Sequence, residues 1–292
     1  MQIETIEQFL KRKHTKQSAK TYLFTINNFL ATNPRAENYL YKDMVEYLAK
    51  LTLRNKNAGT RNGILSAVKR YYDYLVETKQ RNDHPCRFMK IKGENIAKRT
   101  QMHFQDLFTP GELESLLNRP VRYENLRLRN KIIISFLIYQ GLTSDEIIRI
   151  DIENVDLDNL TVYIKGSSKL NNRTLKLQHM QKEYIEMYLK VYRKKLLQVE
   201  SKKLVIGHRG DPETVEGIGG MLDPLKMLFP DRALSAKTIR SSVISNWFNV
   251  YKYRLEDVQI WAGHKWPSST LRYKRTDIAE QREKINKWHP LK

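Results

Sequence analysis

WAGHKWPSSTLRY, residues Trp261–Tyr273, places an Ala-Gly-His ahead of a tyrosine, with His264 nine residues before Tyr273. Upstream, SAKTIRSSVISNWF (Ser235–Phe248) reads as a helix. Lys237 and Arg240 lie three apart in it and so share a face. Two cations, an imidazole and a phenol in this order suit a phosphodiester. The cations and the imidazole can neutralise phosphate oxygens, and the phenol can attack phosphorus and hold it covalently. Each residue alone has an ordinary reading. Tyr273 is one of 16 tyrosines, and a half-buried aromatic with a satisfied hydroxyl is the default. Arg240 alone reads as a surface or phosphate-binding residue, Lys237 as a solvated helix cation, and His264 as a cap or core residue. Only the ordered spacing separates the chemical reading from the ordinary ones.

VYIKGSSKLNNRTLKL (Val162–Leu177) supplies a further lysine, Lys165, on or beside a turn between short alternating strands. Taken together, these residues resemble the tyrosine recombinases, or phage-type integrases, and the resemblance covers nearly the whole chain. That family carries a His/Lys-x-x-Arg element, then a Leu-Gly-His, then the nucleophilic tyrosine, usually nine residues on. The matches here are Lys237, Arg240, His264 and Tyr273, with Trp261 and Ala262 standing where the family has an apolar pair. The family's catalytic lysine sits on a β-hairpin in a Lys-Gly-x-x-Lys-x-x-Arg-like string, which gives Lys165 that position. The resemblance implies that Tyr273 attacks DNA, with Lys237 in the place of the base. It puts Arg240 and His264 on the non-bridging oxygens, and Lys165 as the acid for the departing 5′ oxygen, with Lys169 the alternative for that role. The product is a 3′-phosphotyrosine bond, made without metal, cofactor or ATP. Strand exchange between two duplexes needs four such sites, so a homotetramer on double-stranded DNA is implied. The amphipathic segment Ile278–Lys292 would pack on a neighbouring protomer or on its own domain.

One departure stands out. Where the family has Gly-Leu-Arg-x-x-Glu-Leu, this chain has GLTSDEI (Gly141–Ile147), and Thr143 takes the arginine's place. A hydroxyl can donate to a phosphate but does not replace a bidentate guanidinium. Arg149, Lys169 and Arg173 are the nearest cations that could substitute, and the sequence does not choose among them. Two other functions therefore stay open: a weakly cleaving DNA-binding accessory protein on the same scaffold, and a topoisomerase relaxing one strand by the same chemistry.

Composition agrees with a nucleic-acid partner. The net charge is +20 and the pI about 9.8, and both halves are basic, so a polyanion should span them. The single cysteine, Cys86, excludes an intrachain disulfide and suits a reducing, cytoplasmic setting, nucleoid-associated in a prokaryote. No apolar run approaches the ~20 residues of a membrane span. The N-terminal MQIETIEQFLKRKH carries acids and no apolar core, unlike a secretory signal. The seven histidines lack metal-ligand spacing. The glycines of VEGIGGML (Val215–Leu222) read as a loop.

The length, 292 residues, suggests two domains at roughly 150 residues each. Residues 1–85 show four amphipathic stripes: Ile3, Ile6, Phe9 and Leu10; Tyr22, Ile26, Phe29 and Leu30; Met44, Val45, Leu48 and Leu51; and Ile64, Leu65, Val68, Tyr71, Tyr72 and Leu75. Such a bundle resembles the family's SAM-like core-binding domain. A basic linker, residues 86–106, follows and includes Cys86; in the family it crosses the DNA, so that two domains clamp it. Residues 107–292 then read as a mostly helical catalytic domain. Thr109 and Pro110 start a helix, and the apolar run in Lys131–Gln140 is a buried one. Val155–Leu160, Thr161–Ile164 and Arg173–Leu177 form a small antiparallel sheet. Helices are expected over Gln181–Glu200, Ala236–Tyr251, Leu255–Trp261 and Asp277–Trp288. The fold class is mainly α with a small sheet.

Overall fold

The computed structural model describes residues 4–55, 57–91, 104–118 and 123–275. The chain divides into two compact units, residues 1–99 and 100–292. In the first, α1 (Ile6–Lys13), α2 (Lys16–Thr32), α3 (Tyr41–Arg54) and α4 (Ala58–Glu77) follow the expected stripes. Local capping fixes where they begin. Thr5 and Gln8 form a capping box before α1, Thr15 caps α2, and Asn57 accepts from the Gly59 and Thr60 amides before α4. Phe9, Leu10, Ile26, Phe29, Met44, Leu65, Val68 and Tyr72 are buried together, while Val45 of the third stripe is exposed. Tyr72 is buried with its polar end satisfied, donating to the Ala36 carbonyl at 2.7 Å.

Cys86 and Met89 belong to this core rather than to a linker. Lys69 on α4 donates to the Met89 carbonyl at 2.7 Å, so the segment after Pro85 is held against the helix by apolar side chains and a backbone contact. Residues 92–103 of the expected linker lie outside the described residues.

The second unit is mostly helical around a small sheet. After α5 (Pro110–Ser115), with its Thr109–Glu112 capping box, comes α6 (Arg127–Ile138), whose Ile132–Ile138 stretch is buried throughout. Next are α7 (Ser144–Arg149), β1 (Val155–Asp156), β2 (Thr161–Ile164) and β3 (Arg173–Lys176). The strands pair antiparallel in that order, with Val162 opposite both Val155 and Leu175, and Ile164 opposite Arg173. Side chains alternate across a strand, so Arg173 and Leu175 face inward while Thr174 and Lys176 face out. The first strand stops short of the expected Leu160. The Asp156 carboxylate accepts from the Asp158 and Asn159 amides and turns the chain there.

Two expectations in the middle of this unit are corrected. The helix expected over Gln181–Glu200 is α8 (His179–Met187), a π-helical turn (Tyr188–Tyr192) and α9 (Arg193–Leu196). It ends where Arg193 turns its guanidinium onto the Ser201 and Lys203 carbonyls, at 2.6 and 2.8 Å. The glycine stretch is not a loop but α10 (Val215–Leu222), capped by Thr214. Ile218 and Leu222, four apart, are buried there, and Gly219 and Gly220 face open space, so packing on one side outweighs poor propensity. The last described elements are α11 (Ala236–Asn249), packed against α6, then α12 (Leu255–Ala262) and α13 (Pro267–Leu271). The expected helix Asp277–Trp288 and the segment Ile278–Lys292 lie outside the described residues.

Candidate active site

The site is organised around a buried carboxylate. Thr143 is the N-cap of α7, and its hydroxyl accepts from the Glu146 amide at 3.2 Å and donates to Glu146 Oε2 at 3.0 Å. The Thr143 amide donates to the same oxygen at 2.9 Å. This capping box turns Glu146 inward, where it is only 1% exposed. A charge so placed needs a partner. Arg173 Nη1 donates to Oε1 at 2.6 Å, and Arg240 Nη1 lies 3.7 Å from Oε2. Burial pushes the Glu146 carboxyl up, but Arg173, Arg240 and the Thr143 amide together hold it below its ordinary value. The Thr143 hydroxyl is thus committed to its cap, which removes it as a free phosphate donor.

Arg240, on α11, is buried with its donors aimed at two backbone segments. Nη1 donates to the Gly141 carbonyl, and Nη2 to the Ala262 carbonyl at 2.6 Å. Burial draws this guanidinium below its ordinary value and Glu146 opposes the shift; an arginine stays charged even so. Arg173 comes from β3. Its Nε donates to the Trp261 carbonyl at 2.7 Å, and its buried Nη2 has no hydrogen-bond partner among the described residues. Gly263 closes α12 at φ +71°, and a Cβ there would stand 2.5 Å from Arg173 Nη1. Glycine at this position answers both the left-handed backbone and the close approach of the guanidinium.

The hairpin loop meets the His264 segment directly. Leu170 forms a bridge with His264, and the Asn171 amide donates to the Gly263 carbonyl at 2.8 Å. His264 is buried, with Nδ1 at 2.9 Å from Thr270 Oγ1 and Nε2 at 3.4 Å from Arg240 Nη2. Burial, then Arg240, Arg173 and Arg272, push its pKa down to about 4, against a smaller opposing pull from Glu146. The ring is neutral near pH 7. Tyr273 stacks on it, with ring centroids 5.8 Å apart and planes at 16°. Asn249 of α11 donates to the Tyr273 carbonyl at 3.0 Å and accepts from the Arg275 amide at 2.9 Å, which fixes the chain around the tyrosine.

Arg240, His264, Tyr273 and Arg173 are therefore brought together. Lys237 is exposed on the first turn of α11, and Lys165 and Lys169 are exposed at the hairpin. Arg149 is not drawn to the cluster. It pairs with Asp145 at 2.7 Å and donates to the Gly166 carbonyl at 3.1 Å, tying α7 to the hairpin turn. Three further residues matter to the geometry: Glu146, Thr270 and Asn249. Glu146 had a signal, three residues after Thr143 in a capping-box pattern. The other two had none in a single sequence.

The fold recurs in proteins of known structure. A XerH site-specific recombinase bound to its difH substrate matches with a TM-score of 0.71 at 19% identity, over 97% of this chain and 84% of that one. The Tn1549 transposon integrase in complex with a circular intermediate DNA matches with a TM-score of 0.66 at 14% identity, over 97% and 99%. At such identities the likeness speaks for the fold, which is that of the tyrosine-type site-specific recombinases, with their helical catalytic domain and small antiparallel sheet. Sequence agrees: residues 106–280 match the phage integrase family, and the chain belongs to it. The tyrosine recombinase XerC of Staphylococcus epidermidis is 25% identical over 287 residues, 96% of this chain and 94% of its own length. XerD of Vibrio cholerae is 23% identical over 98% of this chain and 96% of its own.

Proposed function

We propose that this recombinase cuts and rejoins double-stranded DNA at Tyr273, with Arg240, Arg173 and His264 around the scissile phosphate. The tyrosine oxygen gives up its proton and bonds to phosphorus while the bond to the 5′ oxygen breaks. The products are a 3′-phosphotyrosine and a 5′ hydroxyl. In this reading Lys237 takes the phenolic proton as base, and Lys165 protonates the 5′ oxygen as acid. The two arginines and the imidazole stabilise charge on the non-bridging oxygens of the transition state. The bond energy is retained, so a second strand's 5′ hydroxyl can reverse the step. Exchange between two duplexes requires four such nucleophiles, and the assembly we propose is a homotetramer on DNA. The XerH and Tn1549 proteins were solved on DNA, which favours a duplex partner here.

The observation that carries this reading is the stacking of Tyr273 on His264 beside Arg240. The absence of an arginine at position 143 favoured an accessory role. Arg173 on Glu146 weighs against it, because a second guanidinium is present although it comes from another element. The test is covalent capture on nicked duplexes drawn from the DNA that flanks the gene. The wild type is expected to form a detergent-resistant adduct and Tyr273→Phe none, with DNA affinity nearly unchanged. An adduct formed by Tyr273→Phe would place the nucleophile elsewhere.

A further inference from the structure

Thr270 is fully buried in α13, three residues before Tyr273, and nothing in the chemistry above uses it. Its hydroxyl lies 2.9 Å from His264 Nδ1, while Arg240 Nη2 stands 3.4 Å from Nε2 on the other side of the ring. A guanidinium only donates. Nε2 therefore carries the lone pair in this state, and Nδ1 carries the proton and donates it to Thr270. A neutral imidazole of that tautomer offers no proton to a phosphate oxygen from Nε2. The charged ring would, but it is disfavoured here. Arg240 from α11, Arg173 from β3 and Arg272 beyond α13 all act against it, and Glu146 from α7 favours it.

A hydroxyl can reverse its hydrogen bond by rotating, accepting from Nδ1–H or donating to a bare Nδ1. We propose that Thr270 is a positioning residue that acts through His264: it holds the Nδ1–H tautomer in the free protein and turns to donate into Nδ1 when a phosphate takes Nε2–H. The ring carries one proton throughout and solvent exchanges it between the nitrogens, so a phosphate donor appears without a buried imidazolium. This rests on the reading of His264 as a phosphate ligand.

The test combines nitrogen NMR of the histidine rings with covalent capture on the same nicked duplexes. At neutral pH the free wild type is expected to show His264 protonated at Nδ1 and bare at Nε2. On the duplex, the Tyr273→Phe protein is expected to show the reverse, still with one proton. Thr270→Val keeps the shape and removes the hydroxyl. It should lower the capture rate about tenfold, the effect of one hydrogen bond, with DNA affinity little changed, and Thr270→Ser should restore the rate. An Nε2–H ring or an imidazolium in the free protein, a doubly protonated ring on DNA, or undiminished capture by Thr270→Val would each overturn the inference. If the wild type forms no adduct, the reading of the reaction fails, and the free-protein tautomer still decides the role of Thr270.

Discussion

The His264 imidazole holds its proton less readily when folded, falling from an ordinary 6.5 to about 4. Between those values the unfolded chain binds more protons, so the ring's contribution to stability is complete above about 6.5 and is lost as pH falls toward 4. Tm of the wild type is expected to drop more steeply across this window than that of His264→Gln, as stepped-pH melts would show. His14 and His84 shift in the same direction and remain in both proteins, so the difference isolates His264. Equal slopes would contradict a buried neutral ring. Gly263→Ala meets both a left-handed backbone and the Arg173 guanidinium; a loss of ~1–3 kcal/mol is expected from denaturant melts. At this scale much could be read in advance. The spacing from Arg240 through His264 to Tyr273 pointed to residues that lie together. Arg173, Lys169 and Arg149 were equal as cations close in sequence. Strand parity separates them, since Arg173, Leu175 and Leu177 alternate inward, but that parity holds only if the strand's start is known.

Among the elements, the β2–β3 hairpin carries the most consequence, because its loop presents Lys165 and Lys169 and touches the His264 segment through Leu170 and Asn171. Arg149 fastens that loop from α7 by donating to Gly166. Arg149→Ala is expected to speed amide exchange over residues 165–172 while the paired strands stay protected. It should also lower capture on nicked DNA without a comparable loss of binding. Unchanged exchange at the loop would show that the contact does not restrain it. The elements misread from sequence share one cause. The glycine-rich α10 and the π turn after α8 are decided by what packs on them, and the helical period of a single stretch does not contain that information.

Each of the two units has a core of its own, and the chain carries a net charge of +20. Basic residues in both units predict binding that weakens steeply with salt, by a slope of about −0.9 per phosphate contact on logarithmic axes. Anisotropy titrations across a salt series should show it, with residues 105–292 alone binding more weakly than the full chain. Full affinity from the fragment would mean that the first unit contributes nothing to the DNA interface. The buried Glu146 also bears on how such a chain can change over generations. Breaking a buried pair by deleting one partner costs about 3–5 kcal/mol, so the carboxylate punishes the loss of a guanidinium wherever it originates. What it demands is a number of positive charges and not an address in the sequence. A chain can thus lack an arginine at the start of a helix while one supplied by a strand answers the same buried carboxylate.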